Sequence, residues 1–184
     1  MTVTTAKWTL EEYHRMIEAG ILDARKVELL NGEIIEMSPE GTPHVFFLDR
    51  FANQLRKQLG ERAQVREGHP ITIPRNNSEP EPDIAVVAPL DEEYLDHHPY
   101  PDNIFWIIEY ADSSLKKDLE TKTKVYAAVG IQEYWVVNLK AREVVIFREP
   151  IGDTYQSQVI LRTGTISPIA FPDITLDVLK LMSR

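Results

Sequence analysis

The chain has 184 residues, 43% of them hydrophobic, and a formal net charge of −9. That length and composition suit one ordinary globular domain with a substantial core, and the lack of cysteine excludes disulfides, thiolate zinc sites and cysteine nucleophiles. The acidic balance argues against general affinity for phosphate backbones, which leaves a basic footprint. No apolar run approaches a membrane span and the opening MTVTTAKW has no apolar signal region, so the expectation is a soluble, cytoplasmic chain without a membrane partner.

Thr9 and Glu12 have capping-box spacing, which predicts a first helix over 10–19 closed by Gly20. Residues 27–30 and 33–37 flank Asn31-Gly32, the dipeptide of a type I′ hairpin. Glu28 on this hairpin faces a cleft or water, and by itself favours water. A helix over 44–59 would bury Val45, Leu48, Ala52, Leu55 and Leu59. His44 opens it, a position where histidine more often caps or lies on the surface than binds a ligand.

Residues 64–66 and 71–74 read as short extended pieces. Asp83 then opens an apolar strand over 83–88, directly after Pro82. An acidic loop follows, in which His97 and His98 read as solvated, because adjacent side chains diverge in either regular structure. Charge is divided along the chain: seven acids and no Lys or Arg lie between Glu79 and Asp96, whereas Arg50, Arg56, Lys57 and Arg62 share one predicted helix and four lysines crowd between Lys116 and Lys124. Any nucleic-acid site would have to use those basic helices.

Residues 101–138 organise the rest. The run 104–108 is a strand covered on both faces, with Glu109 at its downstream end. A helix starts at Ser113 or Ser114 and stops at Gly130, placing Leu115, Leu119, Val125, Tyr126 and Val129 on one side. Lys122 falls inside that apolar arc, whereas Lys116, Lys117, Glu120 and Lys124 point to solvent. A lysine in a core stripe needs partners or must snorkel; the candidate partners are Asp118 and the carboxylate of the adjacent strand. Residues 143–148 and 154–161 form a hairpin, and 174–181 a short terminal helix. The chain thus divides into an N-terminal helix and hairpin (1–40), a core (44–138) and a C-terminal hairpin with helix (139–184), all within one domain. The fold class is α/β (α+β): an antiparallel meander followed by a strand–helix–strand crossover, giving a mixed sheet flanked by helices.

Two strand-end carboxylates, Asp83 and Glu109, and an inward lysine can meet in one cleft. Hard oxygen donors without a convincing histidine set suit Mg²⁺ or Mn²⁺, and a lysine beside them can position water or stabilise charge on phosphate. That is the chemistry of metal-assisted phosphodiester hydrolysis. Glycosidase chemistry by the same two acids would need a suitable separation and has no accompanying sugar platform.

The segments Glu81-Pro82-Asp83-Ile84-Ala85-Val86-Val87, Ile108-Glu109-Tyr110-Ala111-Asp112-Ser113-Ser114, Asp118-x-x-x-Lys122-x-x-x-Tyr126 and Gly130-Ile131-Gln132-Glu133-Tyr134-Trp135-Val136-Val137 resemble the Uma2 family, abundant in cyanobacteria. Leu29-Leu30-Asn31-Gly32-Glu33 and Ser38-Pro39 followed by His44 extend the resemblance through the N-terminal half. It implies a PD-(D/E)xK, restriction-endonuclease-like fold and a Mg²⁺-dependent DNA endonuclease. It further implies Asp83 and Glu109 as metal ligands, Lys122 as the third catalytic residue, and Asp118, Tyr126, His44 and Glu28 as supporting positions. The superfamily's lysine normally lies two residues after the second acid, where this chain has Ala111, so Lys122 would supply the ammonium from the helix. Restriction-type enzymes that cut both strands are usually symmetric dimers, so a homodimer is expected. A nuclease-fold binding or assembly module without cleavage activity is the alternative.

Overall fold

The structure, a computed structural model, describes residues 4–112 and 114–183. Helix α1 (Leu10–Glu18) begins at the expected capping box: Thr9 accepts the Glu12 N–H, and the Glu12 carboxylate accepts the Thr9 N–H. Strands β1 (Val27–Leu30) and β2 (Glu33–Glu36) pair around Asn31 and Gly32, whose φ angles of 51° and 75° are those of a type I′ turn. The hairpin stands apart from the main sheet, joined to the following chain by a bridge between Leu29 and Glu79.

Helix α2 (Thr42–Leu59) carries Pro43 in its first turn, where a missing N–H costs nothing. Its buried face is His44, Leu48, Phe51, Ala52, Leu55 and Leu59. Val45, expected inside, is 40% exposed, because the buried arc is centred nearer His44, Phe51 and Leu55 and leaves Val45 beyond its edge.

Six strands follow in one sheet whose spatial order is the chain order: β3 (Gln64–Glu67), β4 (Ile84–Val87), β5 (Ile104–Ala111), β6 (Glu133–Asn138), β7 (Glu143–Ile151) and β8 (Thr154–Leu161). All neighbours are antiparallel except β5 and β6, which are parallel and joined by the helical crossover. The mixed sheet flanked by helices is therefore as expected. The crossover is less regular. A widened, π-type turn (Lys117–Lys122) runs directly into α3 (Thr123–Ala127). The expected capping position Ser113 lies outside the described residues.

Alternation along the central strands gives the sheet two cores. Trp106, Ile108 and Tyr110 of β5 and Trp135 and Val137 of β6 face α2 and the C-terminal segment. Ile107 and Ala111 of β5, with Tyr134 and Val136 of β6, face Val125 and Tyr126 of α3. Both faces are covered, so β4 and β5 read as nearly continuous apolar runs. Glu109 shares its face with Ile107 and so points toward α3.

The C-terminal helix expected over 174–181 does not form. Strand β10 (Leu176–Asp177) pairs with β9 (Thr165–Ile166), and a 3₁₀ turn (Val178–Leu181) follows, capped by the Asp177 side chain on the Leu179 N–H. Leu176, Val178 and Leu181 still reach the α2 core, so their burial is met by an extended pair rather than by a helical face. Residues 71–74, expected as a short extended piece, join no sheet: Ile71 and Thr72 donate to the Pro80 and Pro99 carbonyls and Ile73 bridges to Ser78 before a 3₁₀ turn (Pro74–Asn76). Among the described residues no helix is long and apolar enough to cross a membrane.

Candidate active site

Asp83 stands immediately before β4, and the register that pairs Ile84 with Ile108 sets it opposite Glu109. The two are tied through backbone. The Asp83 N–H donates to Glu109 Oε2 at 3.3 Å, and the Tyr110 N–H donates to Asp83 Oδ2 at 2.6 Å. Lys122 reaches in from the crossover, its ammonium 2.7 Å from Glu109 Oε1 and 3.2 Å from Glu28 Oε2, with only 1% of the residue exposed. Its wrong-face position thus reflects a paired, fully buried charge and not a snorkelling one. The Tyr126 hydroxyl adds a hydrogen bond to Glu109 Oε1 at 3.1 Å.

Glu28 was the residue for which the sequence favoured water. It is fully buried, accepting from Lys117 at 2.6 Å and from the Glu81 N–H at 3.3 Å besides pairing with Lys122. The partners lie far along the chain, so local alternation could not register them. Lys117 corrects a second expectation. A regular helix would aim it at solvent, but the widened turn shifts the phase and brings both Lys117 and Lys122 onto Glu28. The same shift separates Asp118 from Lys122: the Asp118 carboxylate accepts from Ser114 Oγ at 2.5 Å, and its carbonyl accepts from Tyr134 at 3.1 Å and Thr123 at 2.9 Å. Asp118 remains buried, at 2% exposure, within the same cleft.

His44 is buried also, its Nε2 3.2 Å from Asp83 Oδ1 but not aligned for a hydrogen bond. The first turn of α2 thus abuts the cleft, whereas a surface or capping histidine was expected. His97 and His98, expected in solvent, are half-buried: His97 stacks on Tyr100 at 4.4 Å, and its Nδ1 lies 2.8 Å from the His98 carbonyl. They lie outside the Asp83 cleft.

The electrostatics follow from burial. Burial pushes the Glu109 carboxyl up to about 8; Lys122 opposes the shift, while Asp83, Asp118 and Glu28 add to it. Burial also raises Asp118 against the pull of Lys122 and Ser114. For Glu28 burial acts upward, but Lys122 and Lys117 outweigh it and hold the carboxyl below its ordinary value. Burial works against charge on Lys122, yet Glu109 and Glu28 hold its pKa well above normal. His44 is likewise lowered by burial but raised overall by Asp83. The cleft is therefore proton-rich: a buried carboxyl favours its neutral form until positive charge arrives.

The cleft contains a cavity of about 50 Å³ bordered by Asp83, Glu109, Asp118, Glu81, His44 and Lys122, room for a small ion or a few waters. Among the described residues no three His, Asp or Glu side chains converge closely enough to hold an ion unaided. Two carboxylates suffice for Mg²⁺, which keeps several waters. A carboxylate offers about four lone-pair sites; among the described residues Glu109 Oε2 accepts one bond and Asp83 Oδ1 none, so each retains capacity. The residues present fit a hard divalent cation.

No curated protein matches the chain significantly. Among solved structures, the chain is similar to one described as a putative nuclease belonging to DUF820 from Anabaena variabilis ATCC 29413, at TM-score 0.74 and 17% identity, covering 94% of this chain and 96% of that one. At that identity the likeness shows the fold. The Uma2 family, described as "Putative restriction endonuclease", matches over residues 10–179. With β1, the first turn of α2, β4, β5 and the widened turn all inside that span, the chain belongs to the Uma2 family.

Proposed function

We propose that the protein is a metal-dependent nuclease that hydrolyses phosphodiester bonds of DNA. The observation that carries the reading is the fully buried Lys122 ammonium, 2.7 Å from Glu109, beside an Asp83 carboxylate with acceptor capacity to spare. Such a charge is an expensive way to fill a core, and its place beside two strand-end acids is what phosphoryl chemistry requires.

In this reading Asp83 and Glu109 hold a Mg²⁺ or Mn²⁺ ion, which when bound supplies Lewis-acid stabilisation of charge on the phosphoryl oxygens. Lys122 orients the attacking water or neutralises charge developing on the phosphate. Tyr126 fixes the rotamer of Glu109, and Tyr110, through its N–H, fixes that of Asp83. Glu28 fixes Lys122 as a second carboxylate partner, with Lys117 balancing its charge. A symmetric pair of chains would offer one such cleft to each strand of a duplex.

A non-cleaving binding module is the second reading, and one observation favours it. The arginines of α2 and of the 3₁₀ turn that follows it (Gly60–Arg62) are tied internally: Arg50 to the Lys180 and Ser183 carbonyls, Arg56 to Glu67, and Arg62 to Asp173. The basic helix expected to meet DNA thus has little free charge. Calorimetric titration with Mg²⁺ and Mn²⁺, on wild type and Asp83→Ala, beside a plasmid-nicking assay, separates the two. Metal binding abolished by the substitution, together with nicking, supports the nuclease. Undetectable metal binding by wild type overturns it.

A further inference from the structure

A second concentration of positive groups lies at the outer edge of the sheet. β3 is an edge strand, and beside it opens a cavity of about 390 Å³ whose walls include Arg56, Arg66, Glu67, His69 and His98. In a chain of net charge −9 such a grouping is unusual. Arg56 is tied to Glu67 and to the Val65 carbonyl. Arg66 is different. Its Nε is shut off from water without a hydrogen-bond partner, and its guanidinium rests over the Tyr94 ring at 5.4 Å. Among the described residues no carboxylate is in ion-pair contact with it.

Arg66 borders the cavity, and the planar fork of arginine matches phosphate oxygens. His69 and His98 border the same space, and each ring can donate an N–H to an anion. Glu67, spent on Arg56, and Glu79, which is held by His14 and Thr72 and acts on His98 through space, are the opposing charges. The loop leading to His69 is stitched to the metal-binding strand, since the Gly68 N–H donates to the Asp83 carbonyl at 3.1 Å.

We propose that this β3-edge cavity is a phosphate-binding site in which Arg66, with His69 and His98, holds a backbone phosphate of the nucleic acid away from the bond being cut. The inference rests on the nuclease reading and adds to it where an acidic chain gains its grip on a polyanion.

The test is DNA binding by fluorescence anisotropy at several salt concentrations, for wild type, Arg66→Gln, Arg66→Lys and Lys180→Gln. Lys180 is exposed on the C-terminal 3₁₀ turn, outside the basic helices, so its substitution makes the same charge change elsewhere. Arg66→Gln is expected to weaken binding by about tenfold or more and to reduce the salt slope by about one. Arg66→Lys should recover the slope but not the full affinity, and Lys180→Gln should change little. If wild type binds DNA and Arg66→Gln behaves like Lys180→Gln, the inference falls and the nuclease reading stands. If wild type does not bind DNA, the nuclease reading falls, and an NMR titration of the His69 and His98 rings with inorganic phosphate decides the cavity. Ring shifts lost in Arg66→Gln would keep an anion site but assign it to a free phosphate compound; unmoved rings would remove the site altogether.

Discussion

Glu28, carried by a hairpin outside the main sheet, lies 3.2 Å from the Lys122 ammonium on the crossover, and neither residue is more than 1% exposed. The pair couples the N-terminal segment to the candidate site. Glu28→Gln should therefore lower stability by about 2–3 kcal/mol, the range for buried hydrogen bonds to charged groups. It should also loosen Lys117 and Lys122 together. Urea denaturation monitored by tryptophan fluorescence measures the first effect, and lysine-selective NMR the second; an unaltered unfolding midpoint would refute the coupling.

Lys122→Met tests the buried charge directly. From the sequence alone, an apolar chain of similar length could stabilise the core. The observed contacts reverse that expectation, because the substitution takes the cation from Glu109 and leaves Glu28 with Lys117 alone. A loss of about 3–5 kcal/mol at neutral pH is expected, with cleavage reduced on the order of 10²-fold or more. Calorimetric unfolding beside the nicking assay reads both quantities.

Metal binding should distinguish the acids from the lysine. Asp83→Ala should abolish Mn²⁺ binding and cleavage together, whereas Lys122→Ala, measured at a temperature where it remains folded, should retain the ion, since ammonium is no ligand. Equal loss of metal in both variants would place Lys122 as a scaffold for the carboxylates and nothing more.

Glu109 makes stability depend on pH in a stated direction. Its folded pKa is raised, so the folded state binds its proton more tightly than the unfolded chain does. The resulting stabilisation is full below the ordinary carboxylate pKa and is lost as pH rises toward about 8. Glu28, with a depressed pKa, works oppositely and loses its contribution as pH falls below the carboxylate range. Metal-free protein should thus weaken between roughly pH 5 and 8, by at most about 1.4 kcal/mol per pH unit. The slope should flatten in Glu109→Gln and under saturating Mg²⁺. A metal-free stability that is level across this interval would contradict the buried, proton-holding carboxyl.

What could be read from the residues was what is decided locally. Asn31-Gly32 had to be a tight turn because both positions take positive φ, and at Gly32 a Cβ would also lie 2.9 Å from the Trp8 carbonyl. Asp83, Glu109 and Lys122 were conspicuous because polar groups interrupted apolar patterns. Glu28 gave no such sign, as its neighbours Val27 and Leu29 are consistent with a strand half in water. Lys117 was misplaced because regular helical phasing fails across a π-type turn, which no local residue announces. The two-residue pair β9–β10 is too short to leave an alternating pattern, and apolar spacing over 174–181 suited a helix equally well.

The widened turn at Lys117–Lys122 gives the crossover a surplus residue relative to a regular α-helix. Deleting one residue between these two lysines would let the segment relax into ordinary helix, and Lys117 and Lys122, now one widened turn apart, would then stand one α-helical turn apart and keep their common face toward Glu28. Length at this point is thus buffered: the wide turn carries one residue more than a helix needs without turning either cation away from the cleft.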